Sequence, residues 1–216
     1  QLKTEGHLPK LRYQFRDAAH STNCVGENSE KHANPENEIK DFLLTGEASF
    51  VKRIRYMTSA KEDWKKVDGG ASDVFENLLD LASAPHRWST KSTAMSALCL
   101  KIIKVIKIIV LWSEDSDPNH KDTKIWAKNC LLILRSTGGF AKLVCFGIDT
   151  DYTYMCHKLV MVQDKSTRDI SLHDWECERY LHITKSLMAE GRIFEPDCQG
   201  TFTWAILSAV RNEPLW

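Results

Sequence analysis

His173 and Cys177 stand four residues apart, the spacing that puts two side chains on one face of a helix. An imidazole and a thiolate so placed supply two of the four ligands of a tetrahedral zinc site, with Cys156, His157 or Cys198 needed to complete it. Structural zinc sites bring their ligands as two tight pairs, and no second pair with that spacing occurs. Cys177 is therefore expected to be a small core residue, His173 a first-turn surface residue, and the chain to bind no metal. A nucleophilic thiol is the second chemistry on offer, from Cys145 or Cys156 with His157 or His182 as base. It needs a base within hydrogen-bond reach and a third group to orient that base. No glycine-rich turn marks a nucleophile, so buried thiols and surface histidines are the plainer reading. Asp149 and Asp151 sit where a helix cap is wanted, and Asp174 and Glu176 where acids oppose a helix dipole. Aspartate-rich diphosphate motifs, a P-loop and G-x-G-x-x-G do not occur. Catalytic residues and cofactors are accordingly not expected.

Binding chemistry is better represented. Lys52, Arg53 and Arg55, followed by Lys61, Lys65 and Lys66, make residues 52–66 locally basic, with Tyr56 and Trp64 interleaved. Cations among aromatics can hold phosphates and stack bases. The same three cations are also what the solvated face of an amphipathic helix carries. The chain has 29 Lys+Arg against 29 Asp+Glu, a balance that opposes a general nucleic-acid binder. Arg87 and Trp88 join two residue types common as interface anchors, and Pro214, Leu215 and Trp216 end the chain on another Trp. The candidate binding residues are Lys52, Arg53, Arg55, Arg87 and Trp88.

The elements that must position these residues read as helices. Residues 98–112 are apolar except for Lys101, Lys104 and Lys107, which fall along one edge of a helix. A central helix from Ser89 or Thr90 to Trp112 is expected, buried on most sides, with that lysine strip reaching water. The run is shorter than the roughly 20 apolar residues of a membrane span, so no transmembrane segment is expected. Further helices are expected over 48–58, 59–67, 72–81, 121–134, 150–162, 171–190 and 204–210, while 140–148 fits a helix or a buried strand. Only 10 Gly and 6 Pro are available for turns, too few for a sandwich or barrel of many hairpins. The chain is expected to be all-α, of antiparallel helix pairs. These form either a HEAT/armadillo-like solenoid or a compact multi-helix bundle. Residues 38–216 form one all-helical domain in this reading, preceded by a mobile polar N-terminal arm over 1–37. Residues 183–191 and the following Gly200-Thr-Phe-Thr faintly resemble an ankyrin unit but lack its Thr-Pro-Leu-His core, and residues 127–146 look like a repeat unit. Neither stretch covers enough chain to name a family.

Seven cysteines are scattered without a C-x-x-C pair, an odd number that suits a reducing, intracellular setting, cytoplasmic or nuclear. No signal-peptide pattern opens the chain, and Gln1 in place of Met is expected of a fragment or processed product. The function expected is a non-enzymatic protein-interaction or scaffold module within a larger assembly. The second reading is a structural protein, of the viral-coat kind, that binds nucleic acid or anionic membrane through residues 52–66 with Lys101, Lys104 and Lys107. In the first test, all 7 thiols react with a thiol reagent after denaturation without prior reduction. A native disulfide detected by mass would contradict the intracellular reading.

Overall fold

A computed structural model describes residues 38–57, 59–68, 88–164 and 170–211, apart from the side chains of Asp68, Trp88, Ser89, Ile170 and His173. Every regular element among the described residues is helical. The expected arm over 1–37 and the expected helix over 72–81 lie outside them.

The chain enters as α1, Glu38–Lys40, which runs on as a π-helical turn over Asp41–Thr45 and stops at Gly46. Two short helices follow, α2 (Phe50–Tyr56) and α3 (Ala60–Asp68). The expected central helix is divided into α4 (Trp88–Leu100) and α5 (Ile102–Glu114). Lys101 leaves helical geometry at φ −119° and ψ 23°. Its N–H still donates to the Ala97 carbonyl at 3.1 Å, and its own carbonyl accepts from Val105 N–H at 3.0 Å, so the spiral carries across. A 3₁₀ turn, Pro118–His120, leads into α6 (Lys121–Leu134), and a short turn into α7 (Gly139–Gln163). The undecided stretch 140–148 is therefore helical and continuous with the helix expected over 150–162. The 3₁₀ turn Ile170–Leu172 precedes α8 (His173–Thr184), which ends in a π-helical turn over Lys185–Ala189. Gly191 at φ +74° closes that segment, a conformation glycine adopts without strain. Last comes α9 (Phe202–Arg211), where Thr201 Oγ1 accepts from Trp204 N–H at 3.3 Å as an N-cap.

Packing follows the apolar faces. Ile102, Val105, Ile106, Ile108, Ile109 and Trp112 of α5 are all buried, and α5 packs on α6, α3 and α9. The lysine strip is only partly as expected. Lys107 is exposed, but Lys104 is buried, its Nζ 4.5 Å from the Trp64 ring centroid. Trp64 of α3 lies against the edge expected to be wet, and the lysine stem covers it while the ammonium meets the π face. Burial pushes the Lys104 pKa down.

Helix α7 packs on α1, α4, α6, α8 and α9. It meets α9 closely at Gly147, where a Cβ would lie 2.9 Å from Thr203 Cα and 3.1 Å from Ile206 Cδ1. One turn on, the buried Asp151 carboxylate accepts from the amides of Phe202 and Thr203, both at 2.8 Å, and from the Thr203 hydroxyl at 2.7 Å. These amides are orphan donors at the start of α9. Asp151 thus does cap a helix, but from the middle of α7 and across the core, not at the start of its own helix. Asp149 instead pairs with Lys40 of α1 at 3.5 Å.

Ile106, 2% exposed, tests this core directly. Ile106→Ala should cost about 2–5 kcal/mol in denaturant unfolding, the range for emptying a core aliphatic site. A loss within about 0.5 kcal/mol would put this face of α5 at the surface.

Candidate functional site

The site is built outward from Trp112. Its buried indole on α5 packs against Phe50 of α2 (centroids 5.5 Å apart) and Trp126 of α6 (6.1 Å), and Trp126 meets Phe42 of the π-helical turn after α1 at 6.0 Å. A buried indole N–H needs an acceptor. Trp112 Nε1 donates to the buried Asp63 carboxylate of α3 at 3.0 Å, which also accepts from Lys66 at 2.9 Å.

Arg53 joins this cluster. Its guanidinium lies 4.8 Å from the Trp126 ring centroid and donates to Thr123 Oγ1 of α6 at 2.9 Å and to the Ala48 carbonyl at 3.1 Å. Burial pulls its pKa down, with Asp122 acting the other way. Expected on a solvated basic face, Arg53 instead pins α2 to α6, because Trp126 offers it a π face within reach. The candidate patch is divided accordingly. Arg55 is exposed beside Tyr56 at 5.8 Å, and Lys52 is half-buried. Lys65 and Lys66 pair with Glu62 and Asp63 at 3.5 and 2.9 Å, and Trp64 is buried. Arg87 and residues 214–216 lie outside the described residues, and Trp88 opens α4 with its side chain undescribed.

The same contacts fix the rotation of α6. Thr123, Trp126, Ala127, Cys130 and Leu134 are buried on its inner side. On the opposite side Lys121, Ile125, Lys128, Leu132 and Arg135, spaced four, three, four and three residues apart, are all exposed, Ile125 at 49% and Leu132 at 70%. Beside this face lies an open groove of about 590 Å³. Ser113 and Glu114 form its α5 wall; Lys124, Lys128, Leu131 and Arg135 line it from α6. The loop entering α6 is folded by its own acids. Asp117 N–H donates to Asp115 Oδ1 and Asn119 N–H to Asp117 Oδ1, both at 2.9 Å. His120 Nδ1 lies 2.7 Å from Asp115 Oδ2, and Lys124 Nζ donates to the Asp115 carbonyl at 2.6 Å. The hydrogen bond to Asp115 raises the His120 pKa; the Asp117 amide, then His120, lowers that of Asp115.

The nucleophilic thiol weighed against buried thiols in the sequence finds little support among the described residues. Burial pushes up the pKa of Cys145 and Cys156, and that of Cys130 to about 12, which disfavours thiolate. Burial, then Lys158, lowers the pKa of His157. Cys177 is half-buried and accepts from Gln163 Nε2 at 3.7 Å. Among the described residues no three His, Cys, Asp or Glu side chains converge on a point that could hold a metal ion. No single described helix is long and apolar enough to cross a membrane; α6 with its 3₁₀ turn and α7 pass by length and composition only as a pair bent by 95°.

No known family, curated protein or solved structure matches this chain. Lys121, Lys128, Leu132 and Arg135 are not among the binding residues the sequence singles out, although their spacing is legible in it.

The His120–Asp115 pair gives a pH test. Because the folded imidazole pKa is raised, its contribution to stability is complete below the ordinary value of 6.5 and is lost as pH rises through the raised value. Because the Asp115 pKa is lowered, its contribution is present above the ordinary carboxylate value and is lost as pH falls through the lowered one. The Tm difference between wild type and His120→Ala should shrink as pH rises from below 6.5 through the raised imidazole value. A difference constant over that interval would contradict the pairing.

Proposed function

We propose that this chain is a non-enzymatic protein-interaction module, a scaffold component of a larger intracellular assembly. The observation that carries this reading is the outward face of α6, where Ile125 and Leu132 stand exposed between cations beside an open groove. Apolar side chains in register on a helix held rigid from behind are what a partner helix or strand packs on. A compact multi-helix bundle suits the contacts better than a solenoid. α9 reaches back to α4 and α5, whereas stacked repeats touch only their neighbours.

The nucleic-acid or anionic-membrane reading draws support from the exposed cations of α6. It loses support over residues 52–66 with the lysine strip, where Arg53 turns inward, Lys65 and Lys66 are paired and Lys104 is buried. A pull-down with the full chain, with and without nuclease, separates the two. Under the interaction reading, nuclease leaves the captured proteins unchanged, and Lys52→Ala with Arg55→Ala leaves the fold intact. Capture lost on nuclease treatment, or steeply salt-dependent binding to random oligonucleotides, would favour the second reading.

A further inference from the structure

The spacing of Lys121, Ile125, Lys128, Leu132 and Arg135 is that of a coiled-coil seam. Ile125 and Leu132 are one heptad apart at equivalent positions, and Lys121, Lys128 and Arg135 occupy the alternating ones. In a coiled coil such positions face a partner helix; here all five face solvent. The seam runs about 20 Å, four turns at 1.5 Å per residue. Its inner side is locked to α5 and α2 through Trp126 and Thr123, so it cannot roll inward to bury Ile125 and Leu132.

We propose that this seam is the docking site for an acidic amphipathic helix of a partner protein. The inference rests on the interaction-module reading and specifies the partner. Charge chooses the occupant. No hydrogen bond or ion pair among the described residues engages the side chains of Lys121, Lys128 or Arg135, so the three exposed cations are open to an acidic partner. A second copy of the same seam would set three cations against three cations, and like charges across an interface are costly. An anionic membrane fits less well. Two aliphatic side chains over four turns offer little to bury among lipids, and no aromatic residue accompanies them. A helix with Leu opposite Ile125 and Leu132 and Glu opposite the three cations satisfies both halves of the pattern. Leu131 and Lys124, which line the groove toward α5, extend the contact on one flank.

The test uses the full chain and a labelled three-heptad peptide of about 21 residues, with Leu at the a positions and Glu at the d positions. A second peptide carries Lys in place of those Glu. The full chain should bind the Glu peptide and not the Lys peptide, and binding should weaken as salt rises. Leu132→Asp should weaken it about tenfold or more with an unchanged circular-dichroism spectrum, since Leu132 is exposed. Lys121→Glu/Lys128→Glu/Arg135→Glu should reverse the preference between the peptides. Equal binding of both peptides, binding of neither, or indifference to Leu132→Asp would overturn the proposal. So would binding to phosphatidylserine vesicles that the same substitutions abolish, which would make the occupant a membrane. If the peptides fail while wild type and Leu132→Asp capture the same cellular proteins, the seam assignment falls and the interaction-module reading stands. If no protein is captured either, both fall.

Discussion

The indole of Trp112 is held by side chains from three other helices. Phe50 and Trp126 pack against it as tilted rings, Trp126 in turn meets Phe42, and Asp63 takes its N–H. Each contact constrains the others. An unpaired buried N–H costs about 1–3 kcal/mol, so Asp63 must stay within reach, and with it α3. A buried carboxylate in turn needs donors, which Trp112 and Lys66 supply. The aromatic rings then set how α6 is turned. Once Trp126 faces Trp112 and Thr123 meets Arg53, the residues half a turn away must face solvent. The exposed seam of α6 is thus a consequence of the core, not a loose surface feature.

A second joint holds the other side of the molecule. Gly147 lets α9 lie directly on α7, and Asp151 satisfies the amides at the start of α9. With α9 fixed there, it also reaches α4 and α5, which connects the two joints through one core. By contrast, α8 contributes no buried side chain among those described, and Trp175 and Leu181 stand exposed on it. A helix so lightly packed is the kind of element that opens at low free-energy cost. The inner side of α6 is anchored in the core by Trp126, Ala127 and Cys130, and a site ordered before binding avoids the ordering cost that a mobile one must meet.

Much of the helical order is legible in the sequence. The expected helix over 121–134 coincides with α6, and the start of α9 and the stop at Gly191 follow from their local signals. What was not legible depended on partners distant in sequence. α7 reads as two stretches in the sequence because the apolar run 140–148 is too short to show its period. Arg53 and Lys104 looked wet because nothing local reveals that Trp126 and Trp64 would offer them π faces. Asp151 had the chemistry of a cap, but the helix it caps lies across the core. The seam is a subtler case. Its spacing is present in the sequence, yet residues 130–134 are apolar without interruption, and such a run carries no phase to say that Leu132 points outward while Cys130 and Leu134 point in.

The aromatic core holds α6 by one side and leaves the other open for a partner. Hydroxyl-radical footprinting of the free chain reads both sides at once. Ile125 and Leu132 should label strongly, Trp112 and Trp126 should stay silent, and adding the Glu-bearing helix should selectively protect Ile125 and Leu132. Labelling of Trp126, or silence at Ile125 and Leu132 in the free chain, would contradict that arrangement.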